Sequence, residues 1–148
     1  MRYFEDIAVG ETARFGRYAV TRDEVLDFAR RYDPQPFHLS DDAAAQTHFG
    51  RLAASGWHSC AMAMAMLVEQ MTADPVASRG AAGIDRLRWR RPVYPGDTLT
   101  CETEILDKQV APGRDDIGRV RSALTVRNQA GEAVLTLVAL LLIATRPR

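Results

Sequence analysis

Lysine is almost missing from this chain: Lys108 is the only one in 148 residues, and arginine supplies the remaining positive charge. Basic and acidic residues balance at 19 each, for a formal net charge of zero. Without a surplus of either sign there is no global field to draw the chain to nucleic acid or to an anionic membrane. The arginine bias favours anionic ligands, because guanidinium pairs well with phosphate; a GC-rich coding sequence produces the same bias. Cysteine is scarce as well. Cys60 and Cys101 lie far apart in apolar or strand-like surroundings, which excludes a disulfide framework and leaves two buried free thiols. Long apolar runs are absent: Val134 to Ala144 is too short to span a bilayer and is interrupted by Thr136. The opening Met1-Arg2-Tyr3-Phe4-Glu5-Asp6 lacks the apolar core of a signal peptide, so a soluble, cytoplasmic protein is expected. There is no repeat, linker or low-complexity tract, and the length suits one domain, 1–148, with a substantial core.

What is present falls into two halves. Glu11 to Val20 suits a short strand. Thr21-Arg22-Asp23-Glu24 matches a capping box, in which threonine and the glutamate three positions on satisfy each other's backbone N–H. Val25, Phe28, Ala29 and Tyr32 follow at helical spacing, predicting a helix over Arg22 to Tyr32. Ser40-Asp41-Asp42 opens a second, short helix through Ala43 to Thr47. Ser55-Gly56-Trp57-His58-Ser59 leads into a third, running through Cys60 to Val68. That run is apolar on every side, which predicts enclosure. Its methionines alternate with alanines and either fill irregular gaps in a core or line an acyl tunnel.

From Gly83 onward the pattern is strand-like. Strands are expected over Ile84 to Arg91, Thr98 to Leu106, Arg119 to Arg127 and Glu132 to Thr145, separated by turn-rich segments such as Pro92 to Asp97 and Asn128 to Gly131. The last strand is apolar on both faces from Val134 to Ile143, so it should be central or covered on both sides. Strand, helices, a long apolar helix and an antiparallel meander imply one sheet wrapped around one helix, an α+β arrangement.

One hexapeptide carries chemistry: Asp33-Pro34-Gln35-Pro36-Phe37-His38. Each proline fixes its own φ and pushes the preceding residue towards extended geometry, so the segment is stiff and not helical. A stiff loop bearing a carboxylate and an imidazole can aim two proton-transfer groups at one place. It can equally be a rigid connection between helices.

The chain resembles the MaoC-like dehydratases, among them (R)-specific enoyl-CoA hydratases, in three ordered segments. Asp33, Pro36 and His38 match the acid, proline and histidine of the family's Asp-x-Asn-Pro-x-His pattern. Gly56 matches a glycine that opens the family's buried helix, and Pro92-Val93-Tyr94-Pro95-Gly96-Asp97 resembles its Pro-Val-x-x-Gly-Asp strand connection. Gln35 stands where the family has asparagine, adding one methylene. Met64 stands eight positions after Gly56, where some hydratases carry a serine that supports the catalytic loop.

The resemblance implies a hotdog fold, with an antiparallel sheet wrapped around the long helix. It also implies a hydro-lyase that adds water to an enoyl-CoA or removes it from a 3-hydroxyacyl-CoA. Asp33 and His38 would activate water, and the Gly56 backbone N–H would stabilise the thioester enolate oxygen, although a glycine required only for the turn into the helix fits the same spacing. The implied substrate is an acyl-CoA thioester, with no metal or other cofactor. The implied assembly is a homodimer or a dimer-based oligomer, with the CoA tunnel between subunits and with Arg88, Arg90 or Arg91 available to the CoA phosphates. An acyl-CoA thioesterase and a non-catalytic acyl-CoA-binding module are the alternatives. His48 with His38 and Asp33 does not form a tight metal-ligand motif. His58 suits packing or capping, and the apolar run around Cys60 argues against a nucleophilic thiol.

Overall fold

The computed structural model describes residues 1–148. Its elements run from a 3-10 turn (Phe4–Asp6) through β1 (Thr12–Ala19), α1 (Arg22–Tyr32), a second 3-10 turn (Pro36–His38), α2 (Asp41–Ala45), α3 (Gly56–Ala73), β2 (Ser78–Trp89), β3 (Thr98–Val110) and β4 (Ile117–Arg127) to β5 (Ala133–Ala144). The five strands form one sheet in the order β1-β3-β4-β5-β2, antiparallel at every pairing.

The expected α+β layout is therefore present, with one difference in connection. β3, β4 and β5 form the meander, whereas β2 crosses to pair with β5 and occupies an edge. β2 also starts earlier than its alternation suggests, because Ser78 to Gly83 contains small and charged residues with little strand propensity. Arg86 adopts φ +53, and the register shifts between Asp85 and Arg88, a bulge inside this edge strand.

The helices begin and end where the side chains dictate. Thr21 Oγ1 accepts the Glu24 N–H at 3.3 Å, and Ser40 Oγ accepts the Ala43 N–H at 3.0 Å. Only half of the expected capping box forms at α1, since the Glu24 carboxylate turns away to Tyr18 and His58. α1 stops at Tyr32 because Pro34 pushes Asp33 out of helical geometry, to φ −151.

α3 lies against the sheet through Met62, Ala63 and Met66. These join Val25, Leu52, Leu99, Leu124, Val126 and Leu135 in the main core. Each fully buried side chain of this size contributes about 1.5–3 kcal/mol. β1 crosses α3 at Gly16, where φ is +85 and an added Cβ would lie 2.5 Å from Met66 Sδ. Glycine thus provides both the turn of the backbone and the close approach.

The expectation that α3 is enclosed on every side does not hold within one chain. Trp57 is 60% exposed, and Met64 and Val68 are each 48% exposed. An all-apolar pattern reports that a helix needs cover, and it is silent on whether the cover comes from the same chain. No helix is long and apolar enough to cross a membrane.

Candidate active site

Two chain segments converge on one cavity. The first leaves α1 at Asp33 and passes through the prolines into the 3-10 turn that carries His38. The second is the extended stretch Leu52–Ser55 leading into α3. It is held to the Pro92–Asp97 connection by the Ala54 N–H donating to the Val93 carbonyl at 2.8 Å. Asp97 secures that connection in turn, accepting the Tyr94 N–H at 2.9 Å and the Gln129 amide at 3.0 Å. The cavity encloses about 420 Å³, and Asp33, Gln35, His38, Gly56, Ser59 and Trp89 are among its lining residues.

His38 is 4% exposed, and its Nδ1 lies 2.8 Å from the carbonyl oxygen of Ala53. A carbonyl only accepts, so Nδ1 carries the proton, and Nε2 of the neutral ring presents its lone pair. Nε2 stands 3.4 Å from Asp33 Oδ2.

The Asp33 carboxylate is clamped at both oxygens. Gln35 Nε2 donates to Oδ1 at 2.7 Å, and Ser55 Oγ donates to Oδ2 at 2.7 Å. Partial burial pushes the Asp33 carboxyl upward. The Ser55 and Gln35 hydrogen bonds, with the nearby imidazole, outweigh that push and hold it below the ordinary aspartate value. Gln35 thus keeps an amide on the acid despite its extra methylene.

Gly56 is the first residue of α3, and neither its N–H nor those of Trp57 and His58 has a backbone acceptor in the fold. The first turn of an 18-residue helix therefore presents open donors and a partial positive charge at the cavity wall. Glycine at this position also has a packing reason. The Trp89 indole donates to the Gly56 carbonyl at 2.8 Å, and an added Cβ would lie 2.5 Å from the ring.

All three residues singled out in the sequence (Asp33, His38 and Gly56) line the same cavity. Ser55 was not singled out. A serine directly before a helix-opening glycine is an ordinary N-cap, and nothing in the local pattern shows that its hydroxyl turns instead to a residue 22 positions earlier. Ala53 acts through its backbone carbonyl, which leaves no side-chain signal at all.

The remaining candidates separate. Arg90, Arg91 and His48 line the cavity, whereas Arg88 does not. Arg91 pairs with Glu132 at 3.0 Å, and Arg90 donates to Thr136 at 3.0 Å. His58 faces a different groove, stacked on Phe28 with centroids 4.7 Å apart and bonded through Nε2 to Glu24 at 3.1 Å. Tyr18 donates to the same Glu24 oxygen, and burial with that bond pushes its phenol up to about 12. This cluster ties β1, α1 and α3 together and lies outside the Asp33 cavity. Burial raises the Cys60 thiol above its ordinary value, which leaves it protonated at neutral pH.

Comparison with known proteins places the whole chain in one family. The structure of a MaoC-like dehydratase from Rhodospirillum rubrum superposes with a TM-score of 0.92 at 38% identity, covering 100% of both chains. The unliganded R-hydratase PhaJ1 from Pseudomonas aeruginosa superposes with a TM-score of 0.70 at 30% identity, over 98% of this chain and 86% of that one. A 3-hydroxybutyryl-CoA dehydratase from Methylorubrum extorquens is 32% identical over 107 residues, which are 71% of this chain and 64% of that protein. The profile of the MaoC like domain matches residues 6–127, and with it the chain belongs to the MaoC-like hydratase and dehydratase family, in the hotdog fold.

Proposed function

We propose that the protein is a hydro-lyase that adds water to an enoyl-CoA thioester or removes it from a 3-hydroxyacyl-CoA. The observation that carries this reading is the pair of acceptors, Asp33 Oδ2 and His38 Nε2, 3.4 Å apart on the wall of a cavity that Gly56 also lines. Two relatives, named as an R-hydratase and a 3-hydroxybutyryl-CoA dehydratase, support the reaction type.

A water between the pair donates one hydrogen to each acceptor, which turns its oxygen lone pairs towards the substrate. As that oxygen bonds to Cβ, Asp33 takes the proton and the C=C electron pair moves onto the thioester oxygen. The Gly56 N–H faces the resulting enolate charge, and a donor of this kind is worth about 3 kcal/mol in the transition state. The proton passes from Asp33 to His38 Nε2 and then to Cα as the enolate collapses. Both side chains end as they began, and one water has been added across the double bond. Dehydration is the same sequence reversed.

No step requires a metal or another cofactor, so dialysis against a chelator is expected to leave turnover unchanged. The exposed apolar side of α3 and the unpaired edge of β2 favour a homodimer. Light scattering should then give about twice the 16.4 kDa chain mass, and a monomer would overturn this part of the proposal.

The test is loss of enone absorbance when purified protein meets crotonyl-CoA or bulkier enoyl-CoAs. Hydration of none of them, with release of free thiol from saturated acyl-CoA instead, would replace the hydro-lyase with a thioesterase. Binding of acyl-CoA without either reaction would make the chain a binding module.

A further inference from the structure

We infer that Ser55 is the positioning residue for Asp33, and that it serves the acid at the expense of capping its own helix. Ser55 is the N-cap of α3 and is fully buried. A serine in that position ordinarily accepts the N–H of the second or third helical residue. Here it makes no such bond, and its hydroxyl proton goes to Asp33 Oδ2 at 2.7 Å.

Two consequences follow from this one hydroxyl. The oxygen it holds is the one that faces His38 Nε2, so Ser55 fixes the direction in which Asp33 offers its remaining lone pair to water. With Gln35 on the other oxygen, the carboxylate cannot rotate without breaking a charge-assisted hydrogen bond. The uncapped first turn of α3 also keeps its N–H groups open beside the cavity. Met64, about two turns further along α3, is exposed and is not among the residues lining the cavity, so it takes no part in holding the acid.

Because this role presupposes the hydro-lyase reading, the experiment has one arm that needs turnover and one that does not. The charged and titratable groups around Asp33 are His38 beside it, His48, Arg90 and Arg91 along the cavity, and Arg30 and Arg31 on α1. All of them are left in place by Ser55→Ala. In that variant kcat should fall about tenfold or more, the scale of one hydrogen bond to a charged group, with KM little changed. The Asp33 carboxyl, titrated by carbon NMR, should move to higher pH with or without substrate turnover.

Ser55→Gly, which keeps a residue well suited to a helix cap, repeats both arms should the alanine variant not fold. A variant that loses thermal stability while kcat and the Asp33 titration stay at their wild-type values overturns the inference. Absence of turnover in the wild type would instead overturn the hydro-lyase reading, and the NMR titration would still decide the role of Ser55.

Discussion

Nε2 of His38 stands 3.4 Å from Oδ2 of Asp33, and neither atom brings a proton to that contact when the ring is neutral. The Ala53 carbonyl commits the imidazole proton to Nδ1, so the two facing atoms both seek a donor. A water bridging them supplies two hydrogens and keeps its oxygen free. In the proposed reaction that water is the nucleophile, and its protons already point at their acceptors.

Removing either acceptor should stop hydration. Asp33→Asn is expected to lower kcat/KM for an enoyl-CoA by about a hundredfold or more while leaving the fold intact. His38→Ala should lose as much activity and should also destabilise, because it strands the buried Ala53 carbonyl at a cost of about 1–3 kcal/mol. Enone absorbance reads the first effect and thermal denaturation the second. Retained turnover in both variants would remove the assignment of the pair.

The Asp33 carboxyl should titrate below an ordinary aspartate. The Asp33 carboxyl is held below its ordinary value despite partial burial, by Ser55 and Gln35 and by its proximity to His38. A base of this kind stays ionised as pH falls until its own depressed pKa is reached. Gln35→Leu removes one donor to the ionised form, so the protonated form gains and the Asp33 titration, read by carbon NMR, should move to higher pH. The same sign applies to stability. Asp33 contributes above its unfolded-state pKa, and that contribution is lost as pH falls through the folded one. An Asp33 titration that moves to lower pH in Gln35→Leu would show that the amide does not bond the carboxylate.

Much of this was legible in the chain before its structure. The two prolines around Gln35 end α1 and stiffen the loop wherever they occur, so the exit at Asp33 followed from local sterics. Helix α1 has the boundaries that its threonine cap and apolar spacing require. The crossing of β2 to pair with β5 was not legible, since strand pairing over that distance leaves no local pattern. Nor was the one-sided burial of α3, where Trp57 and Met64 are as apolar as Met62 and face the other way. Ser55 was hidden for a third reason: its residue type fits two roles, and only the fold selects between them.

The thiols should be inert. Burial raises Cys60 and pushes Cys101 up to about 11, so both are thiols and not thiolates at neutral pH. Half-buried Cys60 should react slowly with iodoacetamide, and buried Cys101 only after denaturation. Mass spectrometry of the alkylated protein distinguishes the two. Rapid modification of Cys60 in the native protein would place its thiolate back among the reactive groups.

Gly56→Ala separates the two services that this glycine can perform. An alanine keeps the backbone N–H, so donation to a substrate oxygen is not removed directly. Its Cβ, however, would sit 2.5 Å from the Trp89 ring, which must move and give up its bond to the Gly56 carbonyl. Overpacking of this kind costs about 1–3 kcal/mol, read as a lower melting temperature. In a Trp89→Leu background the obstruction is gone, and the cost of the alanine should fall well below that range. The double-mutant cycle should therefore show a coupling of about 1 kcal/mol or more. Turnover follows the same logic: the double variant should match Trp89→Leu alone if the backbone N–H is what the reaction uses. Strictly additive losses in stability would mean that the indole is not what demands glycine at position 56.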